Sequence, residues 1–264
     1  MHLEVGAQKS SFGRAVMERK GPLAPTRVRC IDTAKYTSSQ IACDAGLLNN
    51  EERAVFRQFV DEKDRRDYAA AHALLRTMLS ESNPEVAPDE WRFARTGLGK
   101  PYLPFGLHQA LHFSISHTRG FVACTTSLQG SVGVDVECGL RTTEIDPLIM
   151  DVCSTDERTQ IAAAAPNERR SLFLDLWTLK ESYLKACGLG LSMAPNTLSF
   201  DLREPGRISG PLFMPVQDAW RQMLFRPNPT SRMAVTIQCA AAPVLDVTLT
   251  DATGLRVLHP ARTT

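Results

Sequence analysis

Apolar positions recur along this chain with two periods, one helical and one alternating. The helical period is plainest in SLFLDLWTLKESYLKACGLGL, residues 171–191. As one helix this stretch puts Trp177, Glu181 and Lys185 on a single face. Phe173, Leu176 and Leu184 lie beside that face, while Leu172, Leu179 and Tyr183 fall on the far side. A helix apolar on two sides belongs between layers, and Gly188 and Gly190 end it. Upstream, Asn49 and Asn50 precede EERAVFRQFV, a helix start with acids in its first turn and an apolar edge of Phe56, Phe59 and Val60. A further helix is predicted from about Lys63 to Ser80, with Tyr68, Ala71, Leu75, Met78 and Leu79 as its core stripe.

The alternating period marks strands at RVRCIDTA (27–34), WRFAR (91–95), LHFSISH (111–117), FVACTTS (121–127) and SVGVDVE (131–137). LSFDL, MAVTIQC and VLDVTLT follow the long helix as later strands. In LHFSISH, Leu111, Phe113 and Ile115 face inward and His112, Ser114 and Ser116 outward. Gly120, the Gly97–Pro101 stretch and a Pro-Asn-Pro sequence before TSRMAVTIQC mark turns. Residues 138–170 read as loop and short helices, with a start signal at STDER, 154–158. The order suits an α+β chain of two similar halves meeting near 119–131, although no clean internal repeat is visible. The expected division is a poorly ordered extension over 1–26, an N-terminal lobe over 27–124, a C-terminal lobe over 125–250 and a tail over 251–264.

Composition narrows the partners. The 264 residues are 43% hydrophobic and 22% charged, with a formal net charge of +1. Such a chain has no global field drawing it to nucleic acid or to a membrane surface, so any anion site must be local. No apolar run approaches the roughly 18 residues of a membrane span, and the basic N-terminus lacks a signal-peptide apolar region. The seven cysteines are scattered and odd in number. They read as reduced structural thiols of a cytoplasmic protein. The histidines have no metal-ligand spacing.

Three segments carry candidate chemistry. On the long helix, Lys180, Glu181 and Lys185 stand on or near buried ground, where unpaired charge is costly. Glu181 and Lys185 could simply pair with each other, or Glu181 could hold a metal and the lysines phosphate. In SVGVDVE, Val132, Val134 and Val136 face one way, and Gly133, Asp135 and Glu137 the other. Two neighbouring carboxylates there are either an exposed polar face or ligands of a hard divalent ion such as Mg²⁺. Ser116, His117 and Thr118 end a strand, where they could cap a turn or bind phosphate. Lys100 at a turn tip and Arg76 beside a helix stripe have ordinary readings as a solvated and a snorkelling side chain. Taken together, three carboxylates, several cations and no nucleophilic cysteine suggest metal-assisted transfer on a phosphate ester.

At these residues the sequence resembles the 4′-phosphopantetheinyl transferases of the two-lobed, surfactin-synthetase-activating type. The resemblance rests on GKPYLP (99–104), FSISHT (113–118), GVDVE (133–137), WTLKESYLKACGLGL (177–191) and AHALLRTML (71–79). It implies two pseudo-symmetric α+β lobes with coenzyme A in the cleft between them. It also implies transfer of the phosphopantetheine arm to a serine of an acyl, peptidyl or aryl carrier protein, a holo-[acyl-carrier-protein] synthase activity that releases adenosine 3′,5′-bisphosphate. By that likeness Asp135, Glu137 and Glu181 would bind Mg²⁺, and Ser116 and His117 would hold the 3′-phosphate, aided by Arg76 and Lys100. Lys185, with Lys180, would neutralise the pyrophosphate, and Glu181 is the candidate base. The family often has Asn where Ser114 stands and a basic residue near Asp67, where this chain has Arg65 and Arg66 instead. A monomer is expected, since one chain would contain the whole cleft. The rival readings are a catalytically silent module that binds coenzyme A or a carrier protein, and a generic Mg²⁺ phosphohydrolase.

Overall fold

A computed structural model describes residues 25–104, 110–139, 145–202, 208–209, 220–239, 243–251 and 254–257. The expected N-terminal extension lies almost wholly outside the described residues. The strands are β1 (Thr26–Asp32), β2 (Ala94–Arg95), β3 (Pro101–Tyr102), β4 (His112–Thr118), β5 (Phe121–Ser127), β6 (Val132–Cys138), β7 (Ser199–Phe200), β8 (Ile208–Ser209), β9 (Trp220–Phe225), β10 (Ser231–Gln238), β11 (Leu245–Asp251) and β12 (Gly254–Val257). The helices are α1 (Ser38–Gly46), α2 (Asn50–Gln58), α3 (Glu62–Ser82), α4 (Asp146–Val152), α5 (Thr155–Ala163) and α6 (Pro166–Cys187). The α+β reading of the sequence holds.

Two sheets organise the chain, one in the order β12-β11-β1-β5-β4 and the other β6-β10-β9. Each sheet carries one long helix. α3 packs Leu75, Met78 and Leu79 with Phe113 and Cys124 of the first sheet. α6 packs Phe173, Leu176 and Tyr183 with Trp220, Leu224 and Ala234 of the second. Between the sheets lies a shared core: Val28, Cys30 and Ala123 on one side, and Val132, Val134, Val136, Val235 and Ile237 on the other. The valine alternation of β6 thus points into this core, as the sequence pattern requires. Its opposite face meets α6 so closely that a Cβ at Gly133 would lie 2.0 Å from the Ser182 carbonyl oxygen and 2.5 Å from the Ala186 nitrogen. Only glycine fits there.

The halves are not separate in the chain order expected. β11 pairs parallel to β1, Val28 standing opposite Val247, so the last strands join the sheet of the first half. β12 pairs with β11, and Gly254–Val257 is therefore strand rather than loose tail. α1, which the apolar pattern did not announce, is capped by Thr37 and Gln40 and has no buried residue. The long helix begins earlier than its apolar run, at Pro166, a residue whose fixed φ suits a first turn. It ends at Gly188, which takes the left-handed conformation with φ 75°. Only Ala94 and Arg95 of the WRFAR segment form strand. Trp91 is instead buried in the α3 core, its indole N–H donating to Ser80 Oγ at 2.9 Å.

Candidate active site

The edge strands β4 and β6 run side by side, yet belong to different sheets. Hydroxyls of β4 bridge them: Val134 N–H donates to Ser114 Oγ at 3.1 Å and Val136 N–H to Ser116 Oγ at 3.3 Å. The serines expected to face outward are accordingly buried, each 7% exposed. Along this seam stand the carboxylates of β6. Asp135 is only 4% exposed. Its Oδ1 accepts from Ser116 Oγ at 2.8 Å and from Lys185 Nζ at 2.7 Å. Its Oδ2 is buried and has no hydrogen-bond partner. Glu137 accepts from Trp177 Nε1 at 3.0 Å and from Thr118 Oγ1 at 3.4 Å. The face predicted for α6 is therefore the one that meets β6: Trp177 reaches Glu137 and Lys185 reaches Asp135. The alternative pairing of Glu181 with Lys185 is not what forms.

The electrostatics of the seam are those of crowded negative charge. Burial, and then the charge of Asp135, push the Glu137 carboxyl above its ordinary range, against the opposing pull of Trp177, Lys185 and Thr118. Burial and Asp135 push Glu181 up in the same way, with Lys185 opposing. Among the described residues no three carboxylates, imidazoles or thiols are already drawn into a metal cage. What exists is Asp135, with one buried and unpartnered oxygen, and two carboxyls, Glu137 and Glu181, that its charge repels. Buried acceptors are rarely left unpaired, and the donor set is all hard oxygen. It fits a small divalent cation.

His117 stands at the exposed end of β4. Asp67 fixes the turn beyond it, accepting from the Gly120 N–H at 2.9 Å, from Arg66 Nε at 2.8 Å and from the Thr33 hydroxyl. Of the two basic residues before Asp67, Arg66 is spent on Asp67 itself.

On the other end of the seam opens a cleft of about 680 Å³. Tyr68, His72, Phe93, Phe113, Ser114 and Ile115 line it from the first half, and Leu184, Lys185 and Gly188 from α6. Lys100 lies in its wall. Its ammonium donates to the Ala186 carbonyl at 2.7 Å and to Ser131 Oγ at 3.4 Å. It thereby caps the C-terminal, partly negative end of α6 from the other lobe. Burial lowers its pKa to about 8, Cys187 opposing.

Two predicted contacts lie elsewhere. Lys180 is fully buried on the far side of α6, pairing with Glu157 at 2.6 Å and donating to the carbonyls of Val152, Pro195 and Leu198 at 2.8–2.9 Å. It holds α5 and the 195–198 turn on α6, and is no part of the cleft. Arg76, also fully buried, donates to Glu52 at 2.7 Å and to the carbonyls of Pro88 and Trp91. It braces the cleft wall from behind. Glu52, in turn, holds His72 Nδ1 at 2.8 Å. Burial would raise the Glu52 carboxyl, but His72, the Asn49 N–H and Arg76 together bring it down to about 2. Glu52, His72 and Trp177 have no site role in the sequence reading, and Thr118, read there as a turn cap or phosphate contact, is instead a partner of Glu137. The only signal for His72 is its place one helical turn beyond Tyr68, on which its ring rests at 4.3 Å.

Two sequence-family models match the chain. One, described as the 4′-phosphopantetheinyl transferase superfamily, covers residues 131–227. The other, described as 4′-phosphopantetheinyl transferase, N-terminal, covers 35–129. Among curated proteins, the phosphopantetheinyl transferase of a Thraustochytrium species is 31% identical over 195 residues, 69% of this chain and 66% of that protein. The 4′-phosphopantetheinyl transferase gsp of Aneurinibacillus migulanus is 31% identical over 155 residues, 58% of this chain and 62% of its own. The 4′-phosphopantetheinyl transferase Sfp of Bacillus subtilis strain 168 is 28% identical over 167 residues, 62% of this chain and 70% of its own. The chain thus spans roughly two thirds of the length of these relatives, and the two matched regions contain the seam, the cleft and all the carboxylates of the site. The chain belongs to the 4′-phosphopantetheinyl transferase superfamily.

Proposed function

We propose that this chain transfers the 4′-phosphopantetheine arm of coenzyme A to a serine of an apo acyl, peptidyl or aryl carrier protein, releasing adenosine 3′,5′-bisphosphate, with a divalent cation at Asp135, Glu137 and Glu181. The observation that carries this reading is the carboxylate cluster of the seam. Asp135 has one oxygen held by Ser116 and Lys185 and the other buried without a partner, and its charge adds to burial in raising both neighbouring carboxyls. Mg²⁺ suits such a set of oxygen donors, and when bound it would supply charge neutralisation of the pyrophosphate being cleaved.

The chain's own residues supply the rest. Lys185, half-buried and paired with Asp135, offers its remaining protons to the pyrophosphate. Lys100, in the cleft wall, offers a second ammonium to the phosphate-rich end of coenzyme A. His117, held in place by the Asp67-braced turn, is the contact for the 3′-phosphate. Glu181 takes the proton from the attacking serine hydroxyl. Burial and Asp135 hold its carboxyl above the ordinary range in the cation-free site, and a cation bound there would favour the charged, proton-accepting form. Both walls of the cleft come from one chain, which suits a monomer. All seven cysteines are free thiols, which suits a reducing cytoplasm.

The test is the intact mass of an apo carrier protein incubated with this protein, coenzyme A and Mg²⁺. A gain of one phosphopantetheine group, lost in EDTA, supports the reading. No gain with fatty-acid, polyketide and peptidyl carriers, while coenzyme A still binds, would leave a silent binding module instead.

A further inference from the structure

α3 lies along β4 in the opposite direction. Leu75 shares a core with Phe113 at one end, and at the other Asp67 accepts from the Gly120 N–H. His72, between Leu75 and Asp67 on the helix, therefore comes level with Ile115 and His117 on the strand. Its side chain lies in the wall of the cleft, 16% exposed, with the Tyr68 ring against it at 4.3 Å. A buried chain of charge fixes the imidazole: Arg76 holds Glu52 at 2.7 Å, and Glu52 Oε1 holds His72 Nδ1 at 2.8 Å. With its carboxyl brought down to about 2, Glu52 is an ionised acceptor, so Nδ1 carries the proton they share. Nε2 has no hydrogen-bond partner among the described residues. It is the nitrogen left for a ligand.

We infer that His72 is a specificity-determining residue, a second imidazole that joins His117 on the 3′-phosphate of coenzyme A. The inference rests on the proposed transfer, in which His117 meets that phosphate. Among the described residues of α3 that line the cleft, His72 is the one able to become a cation. Arg66 is bound to Asp67 and Arg76 to Glu52, and neither lines it. An imidazolium at this place has the Glu52 carboxylate behind Nδ1 and donates from Nε2, so it gives a phosphate oxygen a charge-assisted hydrogen bond. The surrounding charges call for an anion. Partial burial of its ring holds the His117 imidazole below its ordinary range; Asp67 opposes, and the charges of Lys185 and His72 push it further down. An anion among these groups relieves their repulsion. Arg95 and Lys100 line the same cleft and add to its positive field, with Glu51 opposing. Glu52 and Arg76 act on the ligand only through His72, which they brace.

The test is calorimetric titration of the full chain with coenzyme A and with 3′-dephospho-coenzyme A, in EDTA and without carrier protein, so that neither a cation nor transfer enters. Asparagine can place its amide N–H where Nδ1–H stands, which keeps Glu52 satisfied while removing Nε2. His72→Asn is expected to melt near the wild type and to weaken coenzyme A on the order of 10-fold, with little change for 3′-dephospho-coenzyme A. His72→Gln, whose amide reaches the place of Nε2 instead, should keep part of the preference for the 3′-phosphorylated ligand. An unchanged affinity ratio in His72→Asn overturns the inference. If both ligands bind as before, His72 is only a strut between α2 and α3; if both weaken equally, its ring meets another part of the ligand. Should His72→Asn fail to fold, the imidazole nitrogen resonances of the wild type carry the test. His72 Nε2 should then shift far more with coenzyme A than with 3′-dephospho-coenzyme A, and equal shifts overturn the inference. Failure of the underlying reading looks different: wild-type protein that binds both ligands equally removes the 3′-phosphate site altogether, and the inference with it.

Discussion

Replacing Lys180 by Met separates the fold from the site. Lys180 and Glu157 are both 0% exposed and lie 2.6 Å apart. Burial lowers the Lys180 pKa, and the Glu157 charge opposes that shift. Besides the ion pair, the ammonium satisfies the carbonyls of Val152, Pro195 and Leu198. Glu157 is itself bound to the N–H groups of Ser154 and Phe200, so it cannot turn away to find water. Methionine fills the volume but leaves a buried carboxylate without its cation. Breaking a buried pair in this way costs about 3–5 kcal/mol, which lowers Tm by on the order of 10 °C. Urea titration followed by tryptophan fluorescence should show a lower midpoint at an unchanged slope. Adding Glu157→Gln, which removes the stranded charge although its single carbonyl oxygen keeps only one of the two N–H bonds, should cost less than the sum of the two single changes. Coenzyme A affinity of the folded Lys180→Met protein should stay near wild type. Unchanged stability together with a large loss of coenzyme A affinity would refute the placement of Lys180 outside the site.

Other outcomes follow from the same geometry. His117→Ala should weaken coenzyme A far more than 3′-dephospho-coenzyme A in calorimetric titrations, and equal losses would remove His117 from the 3′-phosphate. Lys100 has a pKa lowered to about 8, so the ligand-free protein loses this cation as pH rises through that value. Coenzyme A affinity should therefore fall above about pH 8, in a window where an ordinary lysine, with a pKa of about 10.4, stays charged. Lys100→Arg should move that break to higher pH, and an unmoved break would assign it to another group. Gly133→Ala should prevent α6 from seating on β6, because its Cβ would meet the helix backbone at 2.0 and 2.5 Å. The expected result is little soluble folded protein on expression, and a stable, active variant would contradict the packing described.

The parts of the site that sequence revealed are those set by local period. Alternation in SVGVDVE put Asp135 and Glu137 on one face, and helical spacing put Trp177, Glu181 and Lys185 on another. Both faces meet as that pattern requires. What periodicity could not show is which distant residue a buried charge would find. The partners of Arg76 and Lys180 were hidden because their acids, Glu52 and Glu157, lie in other helices, where each also closes a capping box. The outward side of β4 looked solvent-facing because nothing local reveals that β6 will cover it. The return of β11 to β1 was hidden for a similar reason: an alternating strand says which face is apolar, not which edge it will join.

The central claim is that the carboxylate cluster at the β4–β6 seam transfers the phosphopantetheine arm with the help of a divalent cation. Its most direct test is the amount of holo carrier protein formed, by intact mass, as Mg²⁺ is titrated into wild-type and Asp135→Asn proteins that unfold at similar temperatures. Asparagine keeps an oxygen for Ser116 and removes the charge a cation needs. The account predicts Mg²⁺-dependent product with the wild type and a loss of at least about 100-fold in the variant, the scale of one preorganised electrostatic group. Near-wild-type turnover by Asp135→Asn, or product formed equally well in EDTA, would contradict it.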